Sequence, residues 1–165
     1  MKLRMLVMLM AFCALVPTAA HAARASSTAP TRSWGPEVGF SSDPSQIVLG
    51  AHMGFGISGS NLEFVPGVDV GIGDNVTVTA LNGDFHYRID TSSQWRPYVG
   101  AGVSLYNISG RGDAFGGSSD VGGGNLIVGA EVPTGGKSNF SVEGRFALGD
   151  GPSLRLIGAW NFPLR

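Results

Sequence analysis

Three side chains suited to chemistry lie close together in the stretch LNGDFHYRI, Leu81–Ile89: the carboxylate of Asp84, the imidazole of His86 and the guanidinium of Arg88. A second imidazole, His52, stands upstream. Imidazole beside carboxylate serves proton transfer and metal ligation. A hydrolase would add a serine within hydrogen-bond reach of a histidine. Two further stretches have the outline of a phosphate site. GFGISG (54–59) has the Gly-x-Gly-x-x-Gly spacing, and TGGKS (134–138) ends like a phosphate-binding loop. Both outlines need a helix N-terminus to present N–H groups to the phosphate. Neither is followed by a helical pattern, and Glu131 stands where the second requires its first glycine. Both read as turns.

The elements that carry these residues are all of one kind. In LNGDFHYRI the polar residues Asn82, Asp84, His86 and Arg88 alternate with Leu81, Gly83, Phe85, Tyr87 and Ile89, the period of a strand with one polar and one apolar face. The same alternation recurs in eight stretches: 34–40, 47–57, 61–73, 75–89, 94–108, 125–132, 139–149 and 153–162. The connections are rich in Gly, Ser, Asp and Pro, and all but one are short, as in an up-and-down meander of hairpins. The exception is SGRGDAFGGSSDVGGG, residues 109–124, read as a long loop. It contains Arg111-Gly112-Asp113, a three-residue match that arises readily by chance. The loop as a whole is the place to expect an extracellular partner, because loops carry function.

Sorting each stretch by parity separates two faces. One is apolar and carries no charge: Val38, Leu49, Val68, Leu81, Val99, Leu126, Val142 and Leu156 are typical. The other carries Glu37, Glu63, Asp69, Asp84, Glu131 and Glu143 with Arg88, Arg96, Arg145 and Arg155, together with His52 and His86. Between the charges stand small residues, mostly glycine. Parity alone leaves open which face points in, since in a soluble periplasmic ligand-binding β-barrel the apolar face would be the core and the charged face would meet water. Three features favour the reverse, with the charged face inside a closed barrel and the apolar face against lipid. Glycines make room for long charged side chains in a lumen that eight strands leave barely wide enough. The charges are of both signs, and the cations are arginine, which suits buried pairing better than lysine. Finally, Trp34, Phe55, Phe64, Tyr87, Trp95, Phe140, Trp160 and Phe162 fall at the strand ends nearest the chain termini, like the aromatic belt of a membrane interface. The pattern weakens at Val76 and Val78, which share the charged parity; a bulge, or a strand rising beyond the membrane, would account for them. The two histidines then belong to the interior charge network, with His52 at mid-height and His86 near the periplasmic end.

The chain of 165 residues suggests one domain, and its net charge of −1 excludes the basic stripe of a nucleic-acid binder. Its 26 glycines show no Gly-X-Y period, which excludes collagen. Residues 1–22 read as a secretory signal peptide, with Lys2 and Arg4 before an apolar run and an Ala-His-Ala cleavage site, and 23–33 as a polar tether before a barrel over 34–165. Cys13, the single cysteine, lies in the signal peptide, so no disulfide is expected in the exported chain.

WRPYVGAGVSLY (95–106), LNGDFHYRI and SVEGRFALGD resemble strands of the small eight-stranded outer-membrane β-barrel proteins of Gram-negative bacteria, the OmpX-like and OmpA-barrel-like group. The resemblance runs from Trp34 to Phe162. That family usually ends on an aromatic residue, whereas here Phe162 is followed by Pro163, Leu164 and Arg165. The resemblance implies an all-β, eight-stranded antiparallel up-and-down transmembrane barrel in the outer membrane, with its N-terminus in the periplasm. Outer-membrane lipid and the barrel-insertion machinery are its implied partners. A monomer with no wide pore, no cofactor, no metal and no nucleic-acid partner is expected, with a structural or surface-interaction role. Some relatives modify lipid A. Such chemistry needs a Ser/His/acid set near the outer leaflet, and no Ser–His pairing falls at that rim.

Overall fold

Alternation with a period of two yields strands throughout. The computed structural model describes residues 32–73, 76–110, 118–134 and 137–164, with Ser118 described by its backbone alone. Every regular element among them is a strand: β1 (Arg32–Ser42), β2 (Ser45–Gly56), β3 (Leu62–Ile72), β4 (Val76–Arg88), β5 (Arg96–Gly110), β6 (Ser118–Pro133), β7 (Asn139–Gly149) and β8 (Leu154–Pro163). Each strand pairs antiparallel with the next, and β8 pairs with β1, so the sheet is a closed barrel in sequence order. Closure removes the free edges that hydrocarbon could not satisfy. The start of β1 and the end of β8 lie together at one end, here called the lower end.

Strand parity sets what each face meets. Outward Leu81, Val103 and Leu105 are 58, 66 and 65 % exposed, while inward Asp84, Ser104 and Tyr106 are at most 1 % exposed. The apolar belt is therefore on the outside and the polar residues fill the lumen. Outward aromatics pair near the lower end: Trp34 with Phe162 (ring centroids 5.5 Å), Phe64 with Phe85 (5.1 Å) and Phe140 with Trp160 (4.9 Å).

Two expectations need correction. Residues 109–124 are not a long loop. β5 continues to Gly110 and β6 begins at Ser118, and the pairing runs unbroken from Ser104↔Gly123 to Ser109↔Ser118. Glycine and serine weaken an isolated strand, but here a full-length partner supplies the hydrogen bonds, and Asn107 Nδ2 also donates to Asp120 Oδ1 at 2.7 Å. Arg111-Gly112-Asp113 lies outside the described residues, as do the expected signal peptide, residues 23–31 of the expected tether, and Arg165. The first described strand also takes in Arg32 and Ser33 of the expected tether. Second, Val76 and Val78 mark no bulge. The β3–β4 and β4–β5 registers pass through Val78 without a skip. Val78 turns inward and packs with Ala80 and Tyr106, flanked by Val76, Ile108 and Val121. The upper end of the lumen is thus closed by an apolar layer. The β7–β8 turn leans over this layer, burying Pro152. A Cβ on Gly151 would meet the Tyr106 ring at 2.6 Å, so only glycine lets the turn settle there.

The wall has two weak places. The β1–β8 ladder skips Gly35 and Pro36, passing from Trp34↔Phe162 to Glu37↔Ala159. The β2–β3 ladder skips Met53 and Gly54, opposite Pro66, passing from His52↔Gly67 to Phe55↔Phe64. Proline has no N–H to give the facing carbonyl. At the first break the carbonyl of Trp160 leans over Gly35, where any Cβ would collide with its oxygen.

Candidate functional site

Among the described residues the lumen is where the fold gathers ionisable side chains, and it does so at three heights. At the lower mouth, Arg88 at the end of β4 reaches Glu63 of β3 (2.7 Å) and Glu131 of β6 (3.3 Å). Arg96 stands opposite Glu131 in the β5–β6 register and is half-buried. At mid-height, Arg145 of β7 points across the lumen into four carboxylates: Glu37 of β1 (3.7 Å), Asp69 of β3 (3.5 Å), Asp84 of β4 (3.6 Å) and its neighbour Glu143. All five are no more than 5 % exposed. A guanidinium can serve several acceptors because it presents five N–H donors in a planar fork.

The histidines join this middle level. His52 Nδ1 lies 3.2 Å from Glu37, and its Nε2 is 2.7 Å from Asn161 Oδ1. Asn161 Nδ2 donates in turn to Ser141 Oγ, 3.2 Å away, which leaves its oxygen to accept from His52. His86 stacks on Tyr98, with centroids 4.9 Å apart, and the Tyr98 hydroxyl donates to Glu143 at 2.8 Å. Mixed charge and imidazole enclose a cavity of about 30 Å³, bordered by Glu37, His52, Glu63, His86, Arg88 and Glu143. That is room for about two water molecules and for no organic ligand. Among the described residues no group of His, Cys, Asp or Glu side chains has the arrangement of a metal site.

Above the carboxylates the polar groups form a closed ring. Asn82 Nδ2 donates to Asp69 (2.6 Å) and Ser104 Oγ to Asn82 (2.6 Å). Asn125 Nδ2 donates to Ser104 (2.5 Å) and the Tyr106 hydroxyl to Asn125 (3.2 Å). Arg155 then donates to Tyr106 (3.3 Å) and to Asp69 (2.9 Å), which completes the circuit. The ring draws on β3, β4, β5, β6 and β8, and the Arg155 guanidinium also lies over the Tyr106 ring at 5.6 Å. Every residue in it is at most 6 % exposed.

Of the ten interior charges read from the sequence, nine are buried in the lumen, and Arg96 is half-buried at its mouth. Glycines lie beneath them: a Cβ on Gly50 would collide with Asp69 and crowd Glu37, and one on Gly102 would collide with Asp84. Sequence reading missed Tyr98, Tyr106, Asn125 and Asn161. The signal was present for the tyrosines, since 98 and 106 share the parity of Gly100, Gly102 and Ser104.

The sequence matches no family model and no curated protein. The structure is similar to several solved barrels. Neisserial surface protein A aligns with a TM-score of 0.58 and 17 % identity, over 81 % of this chain and 94 % of that one. The N-terminal β-barrel domain of Pseudomonas aeruginosa OprF gives 0.63 and 19 %, over 79 % and 96 %. A de novo designed barrel, TMB2.3, gives 0.54 and 14 %, over 82 % and 95 %. At such identities the likeness is one of fold: the chain is an eight-stranded antiparallel transmembrane β-barrel.

Proposed function

We propose that the chain is a small integral protein of the outer membrane of a Gram-negative bacterium, with its termini in the periplasm and a structural or surface-interaction role. One observation carries this reading. Most of the large apolar side chains on the strands face outward and are exposed all the way round, while nine of the ten strand charges named above are buried inside. Water would not tolerate such a surface, and a bilayer requires it. The barrel is held in place by the apolar band and the aromatic pairs at its lower end, and kept rigid from within by the Arg145 cluster and the Asp69–Arg155 ring. A mechanical role, not a catalytic one, fits the histidines: both His52 nitrogens face partners, and His86 is stacked on Tyr98. The absence of a wide pore fits the filled lumen. The expected contact with an extracellular partner stays with the segment 109–124, of which residues 111–117 lie outside the described residues.

The test is fractionation followed by electrophoresis with and without boiling. A membrane-bound protein whose unboiled form migrates differently supports the reading. Recovery in the soluble periplasmic fraction with a single mobility overturns it.

A further inference from the structure

The two ladder breaks lie at matching heights on either side of the β1–β2 hairpin. Within the hairpin the register is complete, with Gly35↔His52 and Pro36↔Ala51 both paired. On its outer flanks it is not: β1 loses β8 at Gly35–Pro36, and β2 loses β3 at Met53–Gly54. A short panel, Gly35–Pro36 with His52–Gly54, therefore sits in the wall with missing backbone pairing on both sides. Below the breaks the ladders resume at Trp34↔Phe162 and Phe55↔Phe64. The panel is held above and below, so it can bow outward without swinging free. Directly behind it is the mid-lumen cavity, whose border includes Ser33, Glu37, His52, Gly54 and Asn161.

Side chains replace the missing bonds. Gly35 has no side chain, and His52 Cε1 comes within 3.2 Å of where its Cβ would be. His52 of β2 thus reaches over β1 to Asn161 of β8, and the 2.7 Å bond between them spans the break left by Pro36. On the other flank the Glu63 carboxylate and the Ser33 hydroxyl crowd over Gly54. We propose that this panel is a lateral opening of the barrel wall, latched from inside by the His52–Asn161 hydrogen bond. When the latch releases, the cavity communicates sideways with the membrane interface at the height of the aromatic pairs. The proposal rests on the membrane-barrel reading above.

Amide hydrogen exchange, followed residue by residue by NMR on the protein folded into lipid nanodiscs, tests it. The amides of Gly35, Glu37, His52–Gly54 and Asn161 should exchange about tenfold faster than those of the unbroken β4–β5–β6 wall. His52→Ala should accelerate the panel amides by about a further tenfold and leave β4–β6 unchanged. Pro36→Val restores the N–H that Trp160 lacks, and in the His52→Ala background it should return the panel to wild-type protection or better. Asn161→Ala removes the latch from its other side and stands in should His52→Ala fail to fold. Uniform protection across the wild-type wall overturns the proposal. So does acceleration spread evenly around the barrel, or the absence of rescue by Pro36→Val. The unboiled gel mobility of each sample separates this failure from that of the membrane reading, because a barrel with no latched panel still migrates as a folded barrel.

Discussion

The middle and the upper part of the lumen are both polar and both buried, yet they are built differently. At mid-height one arginine is shared among four carboxylates, three of them at 3.5–3.7 Å, around a cavity of about 30 Å³. Above it, uncharged Asn82, Ser104, Asn125 and Tyr106 link Asp69 to Arg155 by bonds of 2.5–3.3 Å, and the adjoining cavity is only about 10 Å³. Several atoms of the middle level, including both Asp84 oxygens, Glu37 Oε1 and His86 Nε2, have no hydrogen-bond partner within the protein, whereas the ring leaves few. Amides and hydroxyls donate and accept in fixed directions and so can close a circuit. Carboxylates only accept, and six of them compete for three buried arginines. The middle level is held by charge and the upper level by geometry.

Substitutions can break each level in its own way. Arg145→Ala should have the largest effect, about 3–5 kcal/mol, because it leaves four buried carboxylates around an empty centre. It should lower the urea midpoint of the barrel in detergent, and a midpoint equal to wild type would show that the middle level contributes little. Gly35→Ala comes next. Its methyl group meets the Trp160 carbonyl, and overpacking of this kind costs about 1–3 kcal/mol; an unchanged midpoint would mean that the carbonyl can move aside freely. Asn125→Ala should cost about 1–2 kcal/mol by opening the ring and leaving the Tyr106 hydroxyl proton without its acceptor. If the two levels are separate structures, the double variant with Arg145→Ala should be additive within about 0.5 kcal/mol. Strong coupling would erase the distinction drawn above. The smallest effect belongs to Asp120→Ala on the exposed upper hairpin, within about 0.5 kcal/mol. A larger loss there would show that the β5–β6 extension is integral to the barrel.

The contrast also explains what could be read from the sequence. Parity alone sorted the side chains by face, because strand geometry is local and a register slip would have moved every side chain to the other face. It could not say that Arg145 meets Glu37 and Asp84, which lie on strands across the lumen; that depends on how far each strand is staggered when the barrel closes. The ring was illegible for the same reason, although Ser104 and Asn82 were on the correct face. Val78 was misleading because charged parity was equated with polar content, whereas the upper lumen is apolar. Residues 109–124 misled through composition: Gly122, Gly123 and Gly124 look like loop and are strand, because β5 beside them is long enough to hold them.

The seam between β1 and β8 joins residues such as Trp34 and Phe162, from opposite ends of the fold. Until the last strand arrives, β1 has an open edge, so no intermediate with seven strands can lie in hydrocarbon without exposed backbone groups. Assembly must therefore end in a single late step, in which the whole chain is available before the first strand is sealed. That step forms the least complete ladder of the barrel, the one interrupted at Pro36. It alone carries the entropy cost of bringing the two ends of the fold together, which neighbouring hairpins do not face.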